Sequence, residues 1–182
     1  MMKIETDRLV LRDYQPGDLH DMHRLWSDRA AMYYLDDIAT DTIEETAASL
    51  EASMANADGR YFCICDKDGR FMGGVGYTIT DVAPPGKVVH MGYMLLPEYQ
   101  GHGFMTEAVR VAIDFAFGRD GCIRITTGCH AENEASWRVM EKVGFRREGE
   151  RIASVYHDGK MKDRWEYAMN KGDTSLEYVS PY

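Results

Sequence analysis

From residue 88 to residue 152 the chain alternates extended apolar runs with helical ones, and that order constrains the fold more than any other feature. A strand is expected over 88–96 and a helix over 105–117. Met105, Ala108, Val109, Ala112, Ile113 and Ala116 share one face of that helix. A strand over 123–130, a helix over 134–143 and a strand over 145–152 follow. Upstream, Leu9, Val10 and Leu11 open a strand, and Pro16 starts a helix that runs through Leu25 and Trp26. A second helix, over 42–57, carries Ile43, Ala47, Leu50 and Met54 at helical spacing. Strands over 61–66 and 71–79 meet at the Lys67-Asp68-Gly69 turn. A last strand, 164–169, is reached by a hairpin at His157-Asp158-Gly159-Lys160. Antiparallel strands followed by a β-α-β-α-β run predict a mixed sheet with helices on its faces.

The 182 residues suit one domain. No run approaches the ~20 apolar residues that span a bilayer, and MMKIETDRLVLRDY lacks the apolar core of a secretory signal, so a cytoplasmic protein with no membrane partner is expected. The formal net charge of −9 argues against a nucleic-acid partner, whose phosphates need clustered Lys and Arg, and is compatible with an amine substrate or with simple solubility. Cys63, Cys65, Cys122 and Cys129 lack a zinc-ribbon spacing and read as small buried hydrophobes, with no metal expected.

The stretch MLLPEYQGHGFMTEA (94–108) concentrates the chemistry. A strand ends at Pro97, a glycine-bearing loop follows, and a helix begins near Phe104. The first N–H groups of a helix lack internal partners, and the dipole there is positive. Gly101 and Gly103 permit a close backbone approach, so the 100–106 turn suits a pyrophosphate without needing a lysine. A plain strand-to-helix turn is the alternative reading. A dinucleotide fingerprint would need glycine where Thr106 stands, and no Gly-Lys-Ser/Thr follows, which disfavours a nucleotide-binding Rossmann domain.

With these residues the sequence resembles the GNAT superfamily of acetyltransferases and, within it, the ribosomal-protein-acetylating RimJ/RimL type. Gln100, Gly101, His102, Gly103 and Phe104 match the acetyl-CoA signature Q/R-x-x-G-x-G/A, with Met105 where the family usually has Gly or Ala. The likeness spans nearly the whole chain, through ETDRLVLRDYQPGD, MGYMLLPEYQGHGFMTEAV, NEASWRVMEKVGFRREG and DRWEYAM. It implies a GNAT-like α/β (α+β) fold: a mixed, mostly antiparallel twisted sheet of six to seven strands, a splayed central parallel pair and about four helices. It also implies one acyltransferase domain over 1–170 with a polar tail over 171–182; the polar residues 173–182 are able to swap or pack against a second copy in a homodimer. Acetyl-CoA would be the co-substrate, with pantetheine along the backbone of Leu95 and Leu96. The pyrophosphate would lie on Gln100, Gly101, His102, Gly103, Phe104, Met105 and Thr106. The amide near Leu95 would stabilise the oxyanion.

Asn133 reads as the N-cap of the 134–143 helix and Gly144 as its stop. By the resemblance, Asn133 also contacts CoA and Ser136 lies near its sulfur. Methionine stands at 140, where other GNAT branches place a tyrosine acid, which leaves Ser136 as the candidate acid or as a capping or packing residue. His90 stands where relatives often carry glutamate and suits a general base; the alternative is a strand histidine bonded to a neighbour. His130 reads as structural and His157 as a solvated turn residue. Tyr33, Tyr34, Asp36 and Asp37 mix aromatic surface with negative charge able to hold an amine, unless they form an ordinary loop. Tyr93, with Tyr77, Tyr156 and Trp165, is a further candidate for the acceptor cleft. The acceptor expected is a peptide or protein N-terminus, or a small-molecule or antibiotic amine. The competing class is a non-catalytic acyl-CoA sensor.

Overall fold

A computed structural model describes residues 2–35, 37–55 and 57–173, the side chain of Ala83 excepted. In chain order the elements are β1 (Lys3–Glu5), β2 (Leu9–Arg12), a 3-10 turn (Pro16–Asp18), α1 (Leu19–Trp26), α2 (Ile43–Ala55), β3 (Gly59–Asp66), β4 (Phe71–Ala83) and β5 (Gly86–Leu95). A second 3-10 turn (Pro97–Tyr99), α3 (Phe104–Gly118), β6 (Cys122–His130), α4 (Glu134–Lys142), β7 (Arg146–His157) and β8 (Lys160–Asn170) complete them. The eight strands form one sheet in the order β1-β2-β3-β4-β5-β6-β8-β7. β5 and β6 pair in parallel, while β1–β2, β2–β3, β3–β4, β6–β8 and β7–β8 are antiparallel. The mixed sheet with four helices is the architecture the sequence implied. β1, a three-residue strand with no apolar run of its own, carries the strand count to eight.

The chain divides into two compact units, one of Met1–Thr78 with Gly92–Ala108, the other of Ile79–Met91 with everything from Val109 onward. In the first, Val10 of β2, Met22 and Leu25 of α1, Leu50 of α2, Cys63 and Cys65 of β3, Phe71 and Leu96 form one buried cluster. Local chemistry places the helices. Arg12 grips the buried Asp18 carboxylate through two hydrogen bonds of 2.7 Å, and Asp18 also accepts from the Gln15 N–H at 2.8 Å, so the chain enters α1 at a fixed angle. At α2, Thr42 and Glu45 cap each other: the Glu45 N–H donates to Thr42 Oγ1 at 3.2 Å and the Thr42 N–H to Glu45 Oε2 at 3.1 Å.

In the second unit, β6 lies between β5 and β8, and Val89, Met91, Ile125, Cys129, Tyr167 and Met169 are buried along these strands. Gly144, at φ 99°, ends α4 in a Schellman arrangement: its N–H reaches Glu141 O at 3.1 Å and the Phe145 N–H reaches Met140 O at 3.0 Å. The β7–β8 hairpin turns at Asp158 and Gly159, both at positive φ. β4 and β7 run to 83 and 157, beyond the expected 79 and 152. His157, expected in a solvated turn, is buried with its ring 4.8 Å from that of His130. The reason is register: His157 pairs with Lys160 and belongs to the strand rather than to the loop. Of the polar tail, 174–182 lies outside the described residues; Asp173 closes a turn on Asn170.

Within the first unit β4 approaches the backbone of β5 closely at Gly73. A Cβ there would stand 2.2 Å from Met94 O and 2.9 Å from Leu95 Cα, both main-chain atoms. Gly73→Ala is therefore expected to lower unfolding stability by about 1–3 kcal/mol through overpacking. Urea denaturation checks this, and a stability equal to wild type would mean that β4 and β5 can part there at no cost.

Candidate active site

In the first unit the site is built around the loop between β5 and α3. Gly101 and Gly103 hold φ values of 78° and 80°, a region that only glycine adopts readily. A Cβ on Gly101 would meet nothing within 4 Å, and one on Gly103 only Arg8 Nη2 at 3.7 Å, so the loop's outer side is open. His102 is exposed, Phe104 and Thr106 are half-buried, and the loop leads into the unpartnered N–H groups of α3's first turn. This is a cradle for an anion built from main chain. Met105 is buried at 7% exposure, so the side chain that departs from the family signature points into the core and leaves the cradle clear.

The loop is fastened by residues the sequence reading passed over. The Arg8 guanidinium donates to His102 O at 3.0 Å and to Glu107 Oε2 at 2.7 Å, and lies 4.7 Å from the centre of the Phe104 ring. Thr6 Oγ1 donates to the other Glu107 oxygen. Burial works against the charge on Glu107, but the hydrogen bonds from Thr6 and Arg8 hold its carboxyl below the usual range. The signal was present in TDRLVLR, although nothing local tied it to a loop almost a hundred residues away.

Leu95 and Leu96 close the strand. The Leu96 N–H donates to Met72 O on β4 at 2.9 Å, which commits that donor to the sheet. Amides alternate edges along a strand, which turns the Leu95 N–H to the opposite edge of β5. Gln100 Nε2 donates to Leu95 O at 3.1 Å, so this side chain holds the strand end and does not face the loop's open side. Tyr33 and Tyr34 form an edge-to-face pair at 4.9 Å, with Tyr33 exposed; Tyr93 is half-buried on β5. Asp36 lies outside the described residues. Tyr77 is a core residue at 2% exposure and does not line a cleft.

In the second unit His90 and Ser136 stand on opposite faces of the sheet. The parallel ladder runs from Lys87↔Cys122 to His90↔Thr126, its last pair. His90 Nδ1 lies 3.2 Å from Thr126 Oγ1. Arg164 and Glu166 of β8 act on the same ring. Burial, with Arg164 adding to it and Glu166 opposing, pushes the imidazole pKa below its ordinary value, so His90 is neutral at neutral pH. Gly128 makes room on this face: a Cβ there would meet Glu166 Oε2 at 2.7 Å and Arg164 Nη2 at 3.0 Å. On the other face, Ser136 hydrogen-bonds the buried Cys129 thiol, whose pKa burial pushes up to about 11. Asn133 Oδ1 accepts from the Ser136 N–H at 3.2 Å, so the capping role read from the sequence is real and occupies that oxygen. Met140 is buried, at 1% exposure. Tyr156 is exposed, and Trp165 packs 5.8 Å from Trp137.

The model of the acetyltransferase (GNAT) domain matches residues 8–146. The uncharacterized N-acetyltransferase YnaD of Bacillus subtilis is 27% identical over 169 residues, covering 92% of this chain and 96% of that protein. The ribosomal-protein-S5-alanine acetyltransferase from Vibrio fischeri superposes with a TM-score of 0.81 at 25% identity, covering 93% of this chain and 97% of that one. The spermidine N-acetyltransferase from Vibrio cholerae, solved with CoA and spermine, superposes with a TM-score of 0.83 at 21% identity over 92% and 98%.

If the open glycine loop holds the pyrophosphate, Gly103→Val should weaken acetyl-CoA binding by about tenfold or more, because a β-branched residue resists φ near 80°. With space around the new Cβ, the fold should persist. Calorimetry on the folded variant checks it, and wild-type affinity would move the pyrophosphate elsewhere.

Proposed function

The chain belongs to the acetyltransferase (GNAT) domain family, and on that premise we propose that it transfers the acetyl group of acetyl-CoA to a primary amine by direct attack on the thioester. Residues 1–170 would act as the catalytic domain. The observation that carries the reading is the opposed pair at the end of the β5–β6 ladder. His90 there is a neutral imidazole on one face, and Ser136 is a hydroxyl on the other.

In this mechanism the amine nitrogen attacks the thioester carbonyl and its proton passes to His90, directly or through water. The Leu95 N–H donates to the oxygen as it becomes negative. The C–S bond then breaks, and Ser136 protonates the departing thiolate, recovering its proton from solvent. The phosphates rest on the 100–106 loop, fastened by Arg8 and Glu107. A general base is needed because amines are largely protonated at neutral pH, an α-amine near ~7.7–8.0 less so than a lysine near ~10.4.

The charge beside His90 bears on the acceptor. Two guanidinium groups, Arg164 and Arg151, share the single Glu166 carboxylate at 3.2 and 3.4 Å, and Arg164 outweighs Glu166 at the ring. That surplus positive charge disfavours a polyamine of the kind the Vibrio cholerae relative binds. It supports a singly charged amine, such as a peptide N-terminus of the RimJ/RimL kind or a small monoamine.

His90→Ala should lower kcat/KM by about a hundredfold or more. In wild type the acidic limb should fall below the ordinary histidine value of 6.5, since the base works only when neutral and its pKa is depressed. His90→Glu should restore part of the rate and move that limb lower still. Thiol release across pH with one identified acceptor measures all three; an unchanged limb in His90→Ala assigns deprotonation to water. In the same assay N-terminal peptides should outperform spermidine, with the gap narrowing as salt screens the arginines. CoA binding without thiol release from any amine would favour the sensor reading.

A further inference from the structure

We infer that Thr126 is a positioning residue that holds neutral His90 as its Nδ1–H tautomer, leaving the basic lone pair on Nε2. The argument begins from the proton count of a hydroxyl. Thr126 Oγ1 carries one hydrogen and stands 3.1 Å from Val89 O and 3.2 Å from His90 Nδ1. A carbonyl oxygen can only accept, so the contact with Val89 requires the hydroxyl's single proton. Nδ1 must then donate to Oγ1 for both contacts to be hydrogen bonds. In the other tautomer the hydroxyl would turn to Nδ1 and the Val89 contact would be lost. One net hydrogen bond favours the first arrangement by roughly fivefold in population. The parallel register supplies the geometry, because Val89 faces Ile125 and His90 faces Thr126 across the ladder.

Nearby groups agree with this state. The charged groups that act on the ring are Arg164 and Glu166, both from β8, and with burial the balance keeps it neutral. Thr127 completes the pattern: its hydroxyl donates to Met91 O at 2.9 Å, so consecutive threonines take alternate carbonyls of β5 and only Thr126 reaches the imidazole. With Nδ1–H held, Nε2 accepts the amine proton to give an imidazolium that keeps its bond to Thr126, and no ring flip is needed. The opposite tautomer would present an N–H where a base is required.

The catalytic consequence rests on His90 acting as the base; the tautomer itself does not. Long-range 1H–15N NMR of the histidine-labelled protein, above the pH at which His90 titrates, reads the state directly. His90 is picked out of the six histidines by the signal missing from His90→Gln. Nδ1 should carry the proton and Nε2 should show the shift of an unprotonated nitrogen. Thr126→Val, similar in shape but without the hydroxyl, should move the proton toward Nε2. It should also lower kcat/KM about fivefold or more while the KM for acetyl-CoA holds. Thr126→Ser should restore both spectrum and rate. A wild-type Nε2–H signal overturns the inference by itself, as does a Thr126→Val spectrum like wild type. If the spectra behave as expected but His90→Ala keeps full activity, the tautomer stands and the base assignment falls.

Discussion

The parallel ladder between β5 and β6 ends at His90 and Thr126, and the chemistry of the second unit is organised by that ending. Inside a ladder, main-chain groups satisfy one another; at its end, side chains must take over. Thr126 and Thr127 do so for Val89 O and Met91 O. Because neighbouring residues on a strand face opposite sides, the two hydroxyls lie on opposite faces. The same alternation puts Gly128, with the Arg164–Glu166 pair laid over it, on the face of His90, and Cys129 with its bond from Ser136 on the other. An imidazole and a hydroxyl therefore stand on two sides of the sheet, each with its own partners.

Much of this order was legible because it is written locally. The 134–143 helix was placed almost to the residue, since Asn133 and Gly144 act through main-chain groups within a few positions of themselves. The glycine loop was legible for the same reason: positive φ and a helix start are properties of short stretches. β1 escaped because Lys-Ile-Glu carries no apolar pattern and exists only by pairing with β2. The far half of β4 escaped because its described side chains are largely exposed, and the end of β7 because exposed, half-buried and buried residues follow one another there without strict alternation.

The charged groups beside the glycine loop, and those beside His90, were opaque to the same logic. Nothing in the sequence separates Arg8, Glu107, Arg164 or Glu166 from other surface charges, because what distinguishes them is a partner on another element. Gln100 is a different case. The motif reading treated it as a cofactor contact, and its side chain holds Leu95 O, a bond that the motif does not announce. Motif positions record that a residue matters; the hydrogen bond says what it touches.

The fastening of the glycine loop sets the order in which the protein becomes competent. Thr6 and Arg8 close on Glu107 across 101 and 99 residues. Contacts so remote in sequence carry a large loop-closure cost, and so form late in folding. During synthesis, Arg8 leaves the ribosome long before Glu107 exists, and the cradle stays unset until the first unit has closed. The staple is polar and its Arg8 side is half-exposed, the kind of contact that local fluctuations open more readily than a buried core. A ligand seated on that loop would therefore stabilise the part of the molecule whose contacts span the greatest stretch of chain.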